Sequence, residues 1–137
     1  MNPARLFVYG TLRKDCRESM HHMLAERARF IGYARARGRL YHLGDYPGMV
    51  SATEPHAWVR GEVYELANPS AVLARLDDYE GCGPHDAKPY EFERARQEIV
   101  LESGENDIAW VYLYAGSLAG KDEIRSGDYC RGFEESA

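Results

Sequence analysis

The amino-acid sequence predicts an α+β fold in which a curved, mostly antiparallel sheet outweighs the helices. Three observations carry that expectation. About five segments alternate in side-chain character with a period of two or form short apolar runs, whereas only two short segments carry a helical period. Gly, Pro, Asn and Asp punctuate the intervals, as turns between strands require. Strand segments with large side chains on both faces are compatible with a small closed barrel.

The elements follow in order. Leu6-Phe7-Val8-Tyr9, ended by Gly10, has the pattern of a strand buried on both faces and central in its sheet. A polar loop, Arg13 to Glu18, leads to Ser19, which can cap a short helix carrying Met20, Met23 and Leu24 on one side. Phe30 to Leu43 reads as a strand, with Arg35, Arg37 and Arg39 facing one way and Ala36, Gly38 and Leu40 the other. Gly44-Asp45-Tyr46-Pro47-Gly48 reads as a turn and Met49-Val50 as a brief return. Trp58 to Leu66 is another strand, with Val59, Gly61 and Val63 opposed to Trp58, Arg60, Glu62 and Tyr64. Asn68 is a good N-cap and Pro69 is preorganised for a first helical turn. The helix they open has an inward stripe of Val72, Leu73 and Leu76 and ends near Gly81-Cys82-Gly83-Pro84. Residues 90–101 resume as a strand, Glu105-Asn106-Asp107 reads as a hairpin turn, and Ile108 to Ala115 is the last strand. There Trp110, Tyr112 and Tyr114 share one face and Ala109, Val111 and Leu113 the other. Residues 116–137 are turn-rich and carry no assignment.

The chain, 137 residues long, has the size of one domain, so residues 1–137 are read as a single unit. With 45% hydrophobic and 28% charged residues it is globular rather than disordered. A net charge of −5 disfavours a general nucleic-acid binder. The charge is uneven: residues 1–42 hold nine basic and three acidic side chains, net +6, and the remainder is net −11. The basic half raises the question of an anionic partner. Cys16, Cys82 and Cys130 cannot all pair within one chain and form no CxxC, which suits a reducing compartment. No apolar run is long enough for a signal peptide or a membrane span, so a soluble cytoplasmic protein without a membrane partner is expected. His21 and His22 are adjacent and point about 100° apart on a helix, and neither HxxxH nor HExxH occurs. Neither a metal nor another cofactor is expected.

Glu80 is the most informative carboxylate. Steps of four from Val72 reach Leu76 and then Glu80, so Glu80 continues the apolar stripe while Asp78 turns away. A desolvated carboxyl has a raised pKa, which a general acid or base near neutrality needs. The alternative is a frayed helix end reaching solvent. The Tyr9-Gly10-Thr11-Leu12-Arg13 loop follows a central strand and is either an ordinary tight turn or a nest of backbone N–H groups for an anion. Cys82 near His85 is a weak nucleophile pair with no orienting third group. The arginine row at 35, 37 and 39 reads as a solvated outer face, with RNA binding as the competing reading.

Taken together, Phe7-Val8-Tyr9-Gly10-Thr11-Leu12-Arg13 resembles the opening signature of the gamma-glutamylcyclotransferase-like family. Further pieces occur in the family's order: Leu40 to Gly48, Val59-Arg60-Gly61-Glu62-Val63-Tyr64, Leu76-Asp77-Asp78-Tyr79-Glu80-Gly81, Arg94, Ala109-Trp110-Val111-Tyr112 and Ser126-Gly127-Asp128-Tyr129. The series covers nearly the whole chain and looks like a short, bacterial-type stand-alone member. The resemblance implies a small, mostly antiparallel mixed β-barrel flanked by short helices. It implies an enzyme that cyclises a gamma-glutamyl amine or amino acid to 5-oxoproline and releases the amine. The backbone amides of Tyr9, Gly10, Thr11 and Leu12 would hold the substrate's alpha-carboxylate end, Glu80 would shuttle the proton, and Arg94 would join the binding residues. The family's Tyr-x-Arg is Phe92-Glu93-Arg94 here, with Tyr90 two residues earlier. A barrel that binds an amino-acid-like or anionic small molecule without turnover is the competing function.

Overall fold

The computed structural model describes residues 4–9, 26–44, 46–84 and 86–128. These contain six strands and one helix: β1 (Arg5–Val8), β2 (Ala28–His42), β3 (Pro47–Ser51), β4 (Trp58–Leu66), α1 (Pro69–Glu80), β5 (Phe92–Leu101) and β6 (Asn106–Tyr114). The expected helix after Ser19 and the loop before it lie outside the described residues.

The strands form one sheet in the order β1-β4-β2-β3-β6-β5, and additional β1–β6 and β2–β5 pairings curl it onto itself. Following the pairs from β1 through β4, β2, β5 and β6 back to β1 closes a five-membered ring, and β3 bridges β2 and β6. Five of the pairings are antiparallel. The β1–β6 and β3–β6 contacts are parallel, so the expected mixed barrel is observed.

Period two divides the apolar residues between two cores. Phe7, Val59, Val63, Ala36, Leu40, Ile99 and Val111 fill one cluster. Leu6, Val8, Tyr64, Leu66, Phe92 and Tyr112 point to the opposite side, where Val72, Leu73 and Leu76 of α1 cover them. Burying each such helix side chain contributes about 1.5–3 kcal/mol, and the stripe holds the helix against the barrel wall. Short β1 is thus buried on both faces and paired on both edges, as its apolar run predicted.

Three local expectations need correction. Pro47 and Gly48 belong to β3 rather than to a turn. Proline tolerates the first position of a strand, where its missing N–H costs least. A Cβ at Gly48 would lie 2.9 Å from the Tyr114 Cβ and closer still to Leu43, so this glycine serves close packing. The second hairpin turns at residues 102–105, where Gly104 adopts φ 94°, and Asn106 and Asp107 are already strand. Asn68 precedes α1 at φ 50° and makes no side-chain cap bond, so Pro69 at the first turn and the buried stripe define that end. On β4, Glu62 and Tyr64 are both buried, and the Tyr64 hydroxyl donates to Glu62 Oε1 at 2.9 Å. The α1 layer covers Tyr64 on that side of the barrel.

No helix among the described residues is long and apolar enough to cross a membrane.

Candidate active site

One end of the barrel gathers the exit of β1 (Tyr9), the approach to β3 (Tyr46), the last turn of α1 (Glu80) and the entry to β5 (Glu91). The parallel register of Leu6 with Trp110 and of Met49 with Leu113 brings the ends of β1 and β3 beside β6, and the pairing of Phe92 with Tyr114 brings the entry to β5 there too. Helix α1 stops because Gly81 takes φ 78°, with the Cys82 N–H donating back to the Asp77 carbonyl at 2.9 Å. The stop leaves Glu80 at the edge of the barrel end rather than one turn beyond it.

Glu80 is half-buried, and its carboxyl is pushed up to about 7. Burial is the larger cause and the negative charge of Glu91 the second. The negative end of the helix dipole acts in the same direction. Glu91 is itself held, because the Tyr46 hydroxyl donates to its Oε1. That bond, then burial and the Glu91 charge, push the Tyr46 phenol up to about 12.

Tyr9 is buried, and its hydroxyl donates to the Tyr112 carbonyl and accepts from the Met49 N–H at 3.2 Å. Burial, followed by the Glu80 charge, raises its pKa well above the usual phenol value. The side chain therefore anchors β1 to β3 and β6, while its main chain leads on toward Gly10. Gly10, Thr11 and Leu12 lie outside the described residues.

Arg94 meets Asp77, with Nε 2.9 Å from Oδ1 and Nη2 3.2 Å from Oδ2. The Tyr112 hydroxyl donates to the same Oδ1 at 2.6 Å. Burial works against the Arg94 charge, but the Asp77 carboxylate outweighs it and raises its pKa. The guanidinium also lies 4.4 Å from the centre of the Trp110 ring. Sequence reading missed Asp77, although Leu73, Asp77 and Glu80 follow the same i, i+4, i+7 spacing. Tyr112, Tyr46 and Glu91 carry no comparable local signal.

The weaker candidates resolve on physical grounds. Tyr90 donates its hydroxyl to the Gly83 carbonyl at 3.3 Å. Burial, then Asp77 and Glu80, push the Cys82 thiol up to about 11, which leaves about one thiolate in ten thousand at pH 7. Its partner in the nucleophile reading, His85, lies outside the described residues. Cys82→Ser is expected to keep turnover, and peptide-resolved mass spectrometry should show Cys82 alkylating slowly in the folded protein. Loss of turnover in that variant would restore the nucleophile reading. On the barrel's flank, Arg35 and Arg37 stack 4.5 and 4.3 Å from the Trp58 ring, and Arg39 pairs with Glu54 and Glu123. Two of these arginines thus sit on an aromatic ring and the third on carboxylates. No group of three or more His, Cys, Asp or Glu side chains among the described residues is arranged to hold a metal ion.

The family described as gamma-glutamyl cyclotransferase, AIG2-like, matches residues 6–131. The chain is 34% identical over 125 residues to the gamma-glutamylcyclotransferase family protein ytfP of Citrobacter rodentium, covering 91% of this chain and 94% of that protein. It is 35% identical over 111 residues to the gamma-L-glutamyl-butirosin B gamma-glutamyl cyclotransferase of Niallia circulans, covering 80% of this chain and 65% of that one. Its fold superposes on the crystal structure of YkqA from Bacillus subtilis with a TM-score of 0.71 at 28% identity, over 99% of this chain and 44% of the larger protein.

Proposed function

The chain belongs to the gamma-glutamyl cyclotransferase, AIG2-like family, and from that premise we propose that it cyclises a gamma-glutamyl amine or amino acid to 5-oxoproline with Glu80 as acid and base. The observation that carries the assignment is the Glu80 carboxyl, raised to about 7 at the barrel end. A carboxyl at the ordinary value would be a weak base toward an ammonium group and would hold almost no proton to return to a leaving amine.

In the proposed reaction the substrate's alpha-ammonium gives a proton to Glu80, and the freed amine attacks its own side-chain carbonyl carbon. A ring C–N bond forms and the amide C–N bond breaks. The departing nitrogen takes the first proton back from Glu80, and the second proton of the attacking nitrogen passes to it through the same carboxylate, so the products are the neutral lactam and the amine in its ammonium form. No water and no enzyme nucleophile enter the balance. The protein's larger contribution is conformational, because holding a chain in its near-attack geometry can supply about 7–11 kcal/mol. The backbone of Tyr9, Gly10, Thr11 and Leu12 is assigned to the alpha-carboxylate, which fixes the end of the substrate that must curl. The Niallia circulans relative is named for a gamma-L-glutamyl-butirosin B substrate, which supports a gamma-glutamyl group as the part this site recognises.

Release of 5-oxoproline from a panel of gamma-glutamyl amino acids, gamma-glutamyl amines and glutathione tests the reading. A rise in melting temperature without turnover across the panel would favour the non-catalytic barrel instead. For an active substrate, kcat/KM is expected to climb with pH through about 7, as Glu80 ionises. Glu91→Gln removes the like charge beside Glu80, so the same limb should move to lower pH. A limb that ignores Glu91 would separate the observed ionisation from Glu80.

A further inference from the structure

We propose that Asp77, Arg94 and Tyr112 form a positioning unit that fixes Glu80 relative to the strand end at Tyr9. The inference rests on the reading of Glu80 as the acid and base. Asp77 lies three residues before Glu80, on the same side of the last turns of α1. It is gripped by two strands at once, by Arg94 of β5 and by the Tyr112 hydroxyl of β6. Arg94 and Tyr112 are themselves opposite one another in the β5–β6 register, so the grip comes from a rigid, paired segment. Arg94 is steadied from the other side by Trp110, whose ring is also stacked by Arg96 at 4.6 Å.

Tyr112 joins the two halves of the site. Its hydroxyl reaches the helix that carries Glu80, and its carbonyl accepts the hydroxyl of Tyr9, where β1 leads into Gly10. One residue of a central strand thus sets the helix and the end of β1 at Tyr9 against a common reference. Val72, Leu73 and Leu76 hold α1 to the barrel through apolar contacts, and apolar contacts are non-directional. The bidentate bond to Asp77 supplies the directional constraint that an apolar stripe lacks. In this reading Arg94 serves the helix rather than the substrate.

The test uses Tyr112→Phe, Asp77→Asn and Arg94→Lys with a turned-over gamma-glutamyl substrate, and in parallel the titration of Glu80 by carbon NMR without substrate. The described titratable groups coupled to Glu80 are Glu91, Tyr9, Tyr46 and Cys82, and none is altered. Tyr112→Phe and Asp77→Asn are expected to lower kcat about tenfold or more, because small displacements of a reacting group are costly, with KM changed less than about threefold. The Glu80 midpoint should fall from about 7 toward the ordinary carboxylate range as the last turn loosens into water. Unchanged kcat and titration in folded Tyr112→Phe would overturn the proposal, and this variant carries the test if Asp77→Asn does not fold. A rise in KM alone in Arg94→Lys would assign that arginine to the substrate and would also overturn it. Full turnover by Glu80→Gln, together with a shifted Glu80 titration in Tyr112→Phe, would retain the positioning unit and refute the acid–base reading instead.

Discussion

Glu80→Gln is expected to lose turnover by about 10²–10⁴-fold, the usual contribution of a positioned acid or base, and to become more stable than the wild type above pH 7. The second effect follows from the raised carboxyl. Between its ordinary value of 4.5 and about 7, the folded protein keeps a proton on Glu80 that the unfolded chain has released. Ionisation over that window therefore favours the unfolded chain, and stability falls with rising pH until both forms are ionised. A shift of that size amounts to about 3 kcal/mol at full burial, and partial exposure brings it to about 2–3 kcal/mol. Glutamine never ionises, so the variant escapes the loss. Urea unfolding at pH 8 should show the gain, and the gap should close near pH 4, where wild-type Glu80 is protonated in both states. Retained turnover would remove Glu80 from the chemistry, and equal stability at pH 8 would mean that its carboxyl is not raised. The two outcomes together are the signature of a group held against its own preference for the sake of activity.

What was legible in the sequence follows the range of the interactions. The extent of β4 and α1 rests on local chemistry: alternation from Trp58, then Pro69 at the first helical turn and Gly81 at the stop. The arginine row of β2 likewise alternates with buried Ala36, Gly38 and Leu40 as read. Failures occur where tertiary packing reuses a turn residue. Gly48 looks like punctuation and is instead space for Leu43 and Tyr114. The site divides in the same way. Glu80 stands in the helical stripe and can be found by counting residues. Its neighbours cannot, because Arg94 meets Asp77 across 17 residues, Tyr112 meets it across 35, and Tyr46 meets Glu91 across 45. The position of Phe92, where the family pattern has Tyr, is explained by packing: the ring is buried between Tyr46 and Tyr114, with centroids 6.1 and 5.8 Å away.

Gly61→Ala is expected to destabilise the barrel by about 3 kcal/mol, at the upper end of the range for overpacking, because backbone must move. Gly61 lies in β4, paired with Ala34 of β2 on one side and flanked by β1 on the other. An added Cβ would fall 2.3 Å from the Val8 carbonyl oxygen and 2.7 Å from Phe7 Cζ. The ring contact can be relieved, but the carbonyl belongs to the backbone of β1, whose Val8 is paired with Glu62 next door. Relief therefore requires the end of β1 to peel from β4, and that end carries Tyr9 toward the proposed carboxylate clamp. The stability loss should appear in urea unfolding. Phe7→Leu in the same chain should recover only part of it, because the smaller side chain answers the ring contact and leaves the carbonyl contact in place. The fraction of Gly61→Ala that stays folded should show a raised KM, since the displaced strand end leads directly into Gly10. A variant with wild-type stability and wild-type KM would mean that β1 does not run this close to β4. The link between barrel closure and substrate binding would then be lost.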